Sequence, residues 1–409
     1  MSSRQWCDAV MPDESSTLSP RCEQLRTRIR DFVAHQVIPA EAALDAGDRA
    51  IRAQLREHAV EAGLWALPLP SRYGGGGLTP ADYFTVAEIE GRSDHAPEVL
   101  GSAALLNARM IDSHADRELR EKLLPAVVSG QLTMSYAMTE PGVAGSDPAA
   151  LRTTATPDGT GWRITGRKWF ITGAGTADEV LVVARTASGA MRESLSIFAV
   201  PATAPGFRVV RELDVLGTGG QSEIEFDAVT VPACRLIGAV GAGATLAGER
   251  LALGRTLRAL RWVGQAQRAV ELLAERAAQR RVDDQPLAER QLVQQMVFDA
   301  ELAVRSARAL TEQAAAAVAA DRRAHVEVGF AKVAAARALG LATDHAIQIF
   351  GAEGLTAATG LPRLLRVARA ARILDGSDEF HIEATARRVI REYTRPPTAS
   401  PNRNPLAGN

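Results

Sequence analysis

The 409-residue chain has little cysteine, few aromatic residues and almost no net charge. Its three cysteines, Cys7, Cys22 and Cys234, stand far apart and form no CxxC pair, which argues against a disulfide framework or a zinc site. With 47 basic and 48 acidic residues, the balance offers no electrostatic case for nucleic acid or an anionic membrane surface. No apolar run approaches the ~20 residues needed to span a bilayer, and the first residues lack the basic-then-apolar pattern of a signal peptide. GxxxxGK(S/T), HExxH, GxSxG and GxGxxG are all missing, and the seven histidines are scattered. A P-loop, a zinc protease site, a hydrolase elbow and a Rossmann nucleotide site are therefore unsupported, and no metal is expected. What remains is a protein of enzyme size, expected in the cytoplasm.

Three textures follow one another. Residues 1–18 and 396–409 are rich in Pro, Ser and Asn and read as disordered ends. Residues 19–132 read as a helical domain. There, Leu25, Ile29, Phe32 and Val33 share a face until Pro39, which is expected to bend or end the helix. A second helix stops at Gly63, and the glycines of "YGGGGL" read as a loop between helices. Residues 133–240 turn to short β-branched runs, with a Pro-Asp-Gly hairpin signal in "TTATPDGTGWRITG". Residues 241–395 form long, alanine-rich, almost proline-free stretches suited to a bundle of antiparallel helices. The fold class expected is α+β, mainly α: a helical domain, a mostly antiparallel β-domain and a helical bundle.

Four segments carry chemistry, and each has a plain structural reading beside it. "MSYAMTEPGVAGSD" (Met134 to Asp147) offers N–H and hydroxyl groups suited to a polar cofactor or phosphate, or forms an ordinary Gly-Pro loop. In "GRKWFITG" (Gly166 to Gly173), strand alternation points Phe170 and Thr172 together, with Trp169 opposite. That face suits a flat heterocycle or a packed hairpin. Arg255, Arg258 and Arg261 stay within one sector of a helix, facing either an acidic ligand such as a CoA pyrophosphate or solvent. In "RILDGSDEF", Ser377 suits a helix cap, and Asp378 and Glu379 suit a helix start. Asp375 is left on the turn, free to point elsewhere.

Together and in this order, these segments resemble the acyl-CoA dehydrogenase family over about residues 20–393. The family's "TEPxAGSD" appears as Thr139 to Asp147, and "GxKxWIT" as Gly166 to Thr172. "FDxVxVPxxxLIG" appears as Phe226 to Gly238, and "QIxGGxG" as Gln348 to Gly354. The usual glutamate base of "YEGT" is replaced by Asp375 in "LDGS", one methylene shorter. The alternative position for the base, just before the helix arginine, holds Gly254. Asp375 to His381 ("DGSDEFH"), the nine-residue Thr139–Asp147 loop and Leu253-Gly254-Arg255 resemble a branch that writes "DGPDEVH", where aspartate is the expected residue.

The resemblance implies an N-terminal helical domain, a central antiparallel β-domain and a C-terminal four-helix bundle with FAD between the last two. It implies a homodimer or homotetramer in which a neighbour completes the FAD site. By position, Tyr136, Met138, Thr139, Gly145 and Ser146 would line the flavin or substrate, and Phe170 and Thr172 would lie along the isoalloxazine. Arg280, Gln348 and Gly351 would reach a neighbouring subunit's FAD. Ser377 and Glu379 would touch the cofactor beside the base, and Ser146, Arg255 and Gly376 would lie on the substrate side. The activity implied is α,β-dehydrogenation of an acyl-CoA or acyl-carrier-protein thioester, with Asp375 taking the α-proton and an electron-transfer flavoprotein as acceptor. The alternatives are a flavin oxidase or monooxygenase, or an acyl-binding homologue without turnover. One departure stands out: the family's "RxxFG" reads Arg280-Arg-Val-Asp283-Asp284 here. It places two acids where an aromatic residue and glycine are usual, repulsive toward a pyrophosphate unless Arg280 or Arg281 neutralises them.

Overall fold

The structure, a computed structural model, describes residues 20–394; the two terminal segments read as disordered, and Cys7, lie outside the described residues. Seven helices come first: α1 (Pro20–Phe32), α2 (Ile38–Asp45), α3 (Arg49–Glu61), α4 (Pro80–Glu90), the single turn α5 (Ala96–Val99), α6 (Leu105–His114) and α7 (Arg117–Val128). Leu25, Ile29, Phe32 and Val33 are buried on one face, as their spacing predicts. Pro39 neither ends the helix nor breaks it sharply. The chain widens into one π turn, Val33–Val37, which relieves the clash between the proline ring and the preceding turn, and α2 continues. Asp48 caps α3 by accepting from the N–H groups of Ala50 and Ile51, and Gly63 follows its end with φ +60°.

The middle of the chain is one sheet in the order β6-β7-β3-β2-β4-β5-β8, with β1 beside β4. The strands are β1 (Met134–Ala137), β2 (Thr154–Asp158), β3 (Gly161–Thr172), β4 (Glu179–Arg185), β5 (Leu195–Pro201), β6 (Phe207–Val215), β7 (Thr218–Pro232) and β8 (Leu236–Ile237); the short α8 (Met191–Ser194) precedes β5. The Pro-Asp-Gly signal is the β2–β3 turn, where Asp158 pairs with Gly161. β4 and β5 are buried on both faces. Leu181, Val183, Ile197 and Ala199 pack toward the helical layer, and Val180, Val182, Phe198 and Val200 toward the rest of the sheet. A strand covered on both sides reads as a continuous apolar run, as "EVLVVA" and "LSIFAV" do.

The bundle comprises α9 (Gly243–Gln279), α10 (Gln291–Ala319), α11 (His325–Phe350) and α13 (Asp378–Thr394), with the shorter α12 (Leu361–Ala371) against α9 and α11. Its core is mostly alanine, filled locally by the fully buried Trp262. α9 also binds the first layer, and glycine permits the approach: a Cβ on Gly264 would lie 2.0 Å from the Glu88 carbonyl oxygen. Arg268 forms a two-pronged ion pair with buried Glu41 across the same seam.

Between α9 and α10 the chain makes a small hairpin, β9 (Arg281–Val282) with β10 (Gln285–Pro286). Asp283 and Asp284 are its two turn residues, both left-handed at φ +51° and +59°, the geometry of a type I′ turn. The neutralising partner is neither Arg280 nor Arg281. Arg290 pairs with the exposed Asp283 carboxylate at 3.3 Å, while Arg281 donates to the Asp284 carbonyl.

Candidate active site

The "LDGSDEF" stretch links α12 to α13, and its turn is built from two left-handed residues, Asp375 at φ +57° and Gly376 at φ +99°. A side chain at 376 would meet His381 Nε2 at 2.9 Å, so the turn can close only with glycine there. Ser377 caps α13, its Oγ accepting from the Phe380 N–H at 3.3 Å. Asp378 is more than a helix start. It is 1% exposed, and its carboxylate accepts from Lys332 Nζ at 3.2 Å and Arg372 Nε at 2.9 Å. Lys332 is itself buried in the bundle, and burial pulls its ammonium below the ordinary lysine range against the opposing pull of Asp378. The acid that looked like helix decoration therefore anchors the turn to α11.

The carbonyl oxygen of Asp375 is held from two sides, by Arg255 Nε at 2.9 Å and His381 Nε2 at 3.1 Å. Its carboxylate stays about one-third exposed, with Arg258 Nε at 3.6 Å. Its N–H donates to no group among the described residues. The arginine stripe is thus divided by its neighbours. Arg255 and Arg258 attend Asp375, whereas Arg261 reaches into the first layer toward Tyr83, Glu90 and Ser102. Arg255, expected on the substrate side, spends its Nε on the base loop. His381 is 4% exposed; burial, with Arg255 and Lys332 nearby, draws its imidazole down to about 4 despite the Asp375 carbonyl.

In the β-domain, Thr139 to Asp147 leaves the end of β1 and is tied to β3. Lys168, fully buried, donates to the Met138 carbonyl at 2.9 Å and to Glu140 at 2.8 Å, and Glu140 accepts from the N–H groups of Arg152 and Thr153. Burial lowers the Lys168 ammonium to about 8, with Glu140 pulling it back. Burial also works to raise the Glu140 carboxyl, but Lys168, Thr153 and Arg152 hold it below the ordinary range. Thr139 donates to the Trp169 carbonyl at 2.6 Å.

Strand alternation does not survive here. The register shifts between Lys168 and Ile171, and Phe170 takes φ +52° in the resulting bulge. Trp169 and Phe170 consequently touch, ring centres 4.9 Å apart, instead of facing opposite ways. Phe170 is 49% exposed, an unusual state for a ring beside a buried strand. Exposed Thr172 shares a hydrogen bond with Gln221.

Gly145 and Ser146 lie exposed on the loop. Tyr136 packs under Arg250, whose guanidinium carbon sits 4.2 Å above the ring. Arg280, Gln348 and Gly351 are exposed at the ends of α9 and α11, and Glu379 is exposed on α13. A cavity of about 360 Å³ opens between the first layer and α9, lined by Leu69, Tyr83, Leu105, Arg109 and Leu253 among others. Its lining does not include Asp375. Sequence reasoning missed Arg250, the Lys168–Glu140 pair and the anchoring roles of Lys332 and His381. Only Lys332 was marked, as a single charge inside the otherwise apolar run "VGFAKVAAA". Among the described residues no group of three or more His, Cys, Asp and Glu could hold a metal ion, and no helix is long and apolar enough to cross a membrane.

Comparison with known proteins places this geometry. Three family models match in order: acyl-CoA dehydrogenase, N-terminal domain, over residues 19–131; the middle domain over 135–229; and the C-terminal domain over 241–390. The "Probable acyl-CoA dehydrogenase FadE2" of Mycobacterium tuberculosis is 35% identical over 395 residues, covering 90% of this chain and 95% of that protein. Acyl-CoA dehydrogenase family member 11 of Mus musculus is 31% identical over 93% of this chain, which spans about half, 52%, of that relative. Among solved structures, butyryl-CoA dehydrogenase from Megasphaera elsdenii superposes with a TM-score of 0.83 at 25% identity, over 92% of this chain and 100% of that one.

Proposed function

The chain belongs to the acyl-CoA dehydrogenase family, and on that footing we propose that it oxidises an acyl thioester to the 2-enoyl thioester with FAD as cofactor and Asp375 as the base. The supporting observation is the Asp375 turn: a partly exposed carboxylate on a left-handed residue whose carbonyl is clamped by Arg255 and His381. The residues at the β-domain edge fit a flat cofactor ring. Phe170 offers an uncovered aromatic face, Thr172 a hydroxyl, and the Thr139–Ser146 loop a set of N–H and hydroxyl donors tied down by Lys168 and Thr139. FAD, when bound, supplies the acceptor for the β-hydrogen and its electron pair.

The chain's own part is proton transfer and charge control. An α-proton of a thioester is weakly acidic, so negative charge grows on the carbonyl oxygen as Asp375 takes the proton. A donor fixed at that oxygen lowers the barrier without reorganising. The Asp375 N–H, unspent among the described residues, is the donor assigned to this role. The clamp on the Asp375 carbonyl fixes the peptide that follows the donor, and Arg258 Nε stands 3.6 Å from the carboxylate.

Tyr136, Met138, Thr139, Gly145, Ser146, Ser377 and Glu379 are assigned to the cofactor. Ser146, Arg255 and Gly376 are assigned to the substrate side. Arg280, Gln348 and Gly351, exposed on one chain, are assigned to the FAD of a neighbouring subunit in a homodimer or homotetramer. The thioester carrier is CoA or an acyl carrier protein, the acceptor an electron-transfer flavoprotein, and the compartment the cytoplasm. The direct test is Asp375→Asn in the flavin-loaded protein under anaerobic conditions. The variant should keep its yellow flavin and still bind acyl-CoA, but bleach more than about a thousandfold more slowly than wild type. Thioester-driven bleaching at the wild-type rate would remove Asp375 from the mechanism.

A further inference from the structure

We propose that Arg250 recognises an oxygen acceptor, in first place a carboxylate, carried by the acyl group of the substrate; this rests on the acyl thioester reading above. Arg250 lies on α9 one turn before Gly254 and Arg255, and its guanidinium is stacked on the Tyr136 ring at 4.2 Å. Nη1 is shut off from solvent and has no hydrogen-bond partner among the described residues. Burial brings the guanidinium down to about 10, with Tyr136 and Asp375 pulling the other way. Asp375 does not satisfy it. The Asp375 carbonyl is taken by Arg255 and His381, and its carboxylate faces Arg258. A shielded donor on a fixed cation without an acceptor is unfavourable in the free protein and is relieved by a ligand oxygen placed there.

The neighbours indicate which end of the substrate that oxygen belongs to. Positions 250, 253, 254 and 257 share one face of α9. On that face Leu253 borders the cavity with Leu69, Leu78 and Leu105, and the Gly254 backbone lies against Leu106. These leucines are apolar surface of the kind that receives an acyl chain; the cations of the cavity, Arg72 and Arg109, stand on the first layer, and Arg72 is paired with Asp112. A plain alkyl chain laid here would cover the guanidinium without supplying an acceptor. A carboxylate matches its planar fork.

The test compares dissociation constants of the flavin-loaded protein for straight-chain acyl-CoA thioesters and for their ω-carboxylated counterparts of equal carbon count, by isothermal titration. Wild type should prefer a carboxylated member by about tenfold or more, the size of one charge-assisted hydrogen-bonded contact. The preference should vanish in Arg250→Met and persist in part in Arg250→Lys, which also guards against a misfolded methionine variant. Equal affinity for both series in wild type, or an unchanged preference in Arg250→Met, would overturn the proposal. So would weaker binding of CoA alone, or loss of bound flavin, on replacing Arg250, since either would put the partner on the carrier or the cofactor. If no thioester bleaches the flavin, the dehydrogenase reading fails, while the binding ratio still decides the role of Arg250.

Discussion

Acidifying the protein should loosen the base turn through one residue, His381. The neutral imidazole donates Nε2–H to the Asp375 carbonyl at 3.1 Å from a site only 4% exposed. Burial, reinforced by Arg255 and Lys332, keeps it unprotonated down to about 4, against 6.5 when free. Between those values the unfolded chain binds a proton that the folded chain refuses. Stability from this group is therefore fully present above about pH 6.5 and is lost as the pH falls through about 4. A gap of that size corresponds to about 3 kcal/mol. Urea unfolding followed by far-UV circular dichroism, on wild type and His381→Gln across this range, isolates the effect. Glutamine keeps a donor near the same place without a titrating ring. Carboxylates such as Glu140 contribute equally to both proteins and cancel in the difference. Wild type should lose about 3 kcal/mol relative to the variant on going from pH 6.5 to 4. Parallel stability curves would refute the assignment of His381 as a buried neutral clamp.

Two further outcomes follow from buried and strained charges. Asp378→Asn leaves Lys332 buried without its counter-ion and should cost about 3–5 kcal/mol in urea unfolding, whereas Lys332→Met combined with Asp378→Leu should cost clearly less, because no charge is stranded. At the α9–α10 hairpin, Asp283→Asn with Asp284→Gly matches the preferred type I′ residues and should raise stability by up to about 1 kcal/mol in thermal unfolding; a loss of stability would mean that the Arg290–Asp283 pair outweighs turn propensity.

The order of helices, strands and bundle was legible because each texture has its own period and composition. β4 and β5 stood out as β-branched runs, while the burial of both their faces came from the structure. Asp375 was reachable through its turn glycine and the family motif. Phe170 was identified on a wrong premise: alternation along a strand predicts its partner face, but a bulge depends on the register of β3 against β7, and no single-strand pattern carries it. Asp378 does open a helix, as read, but its second role was hidden for a related reason. At a helix start an acid is normally solvated, and only the arrival of Lys332 from α11, 46 positions away, turns it into an anchor.

By itself, the sequence determined most local elements, the Asp-Gly turn and the chemistry open to Asp375, since periodicity, caps and glycine positions act over a few residues. Tertiary structure alone decided which charges are shared. It divided three evenly spaced arginines between Asp375 and the first helical layer, set Arg290 against the Asp283 turn, and left Arg250 stacked on Tyr136 with an unmet donor. The physical reason is that burial and pairing depend on what packs opposite a side chain, and that neighbour comes from elsewhere in the chain.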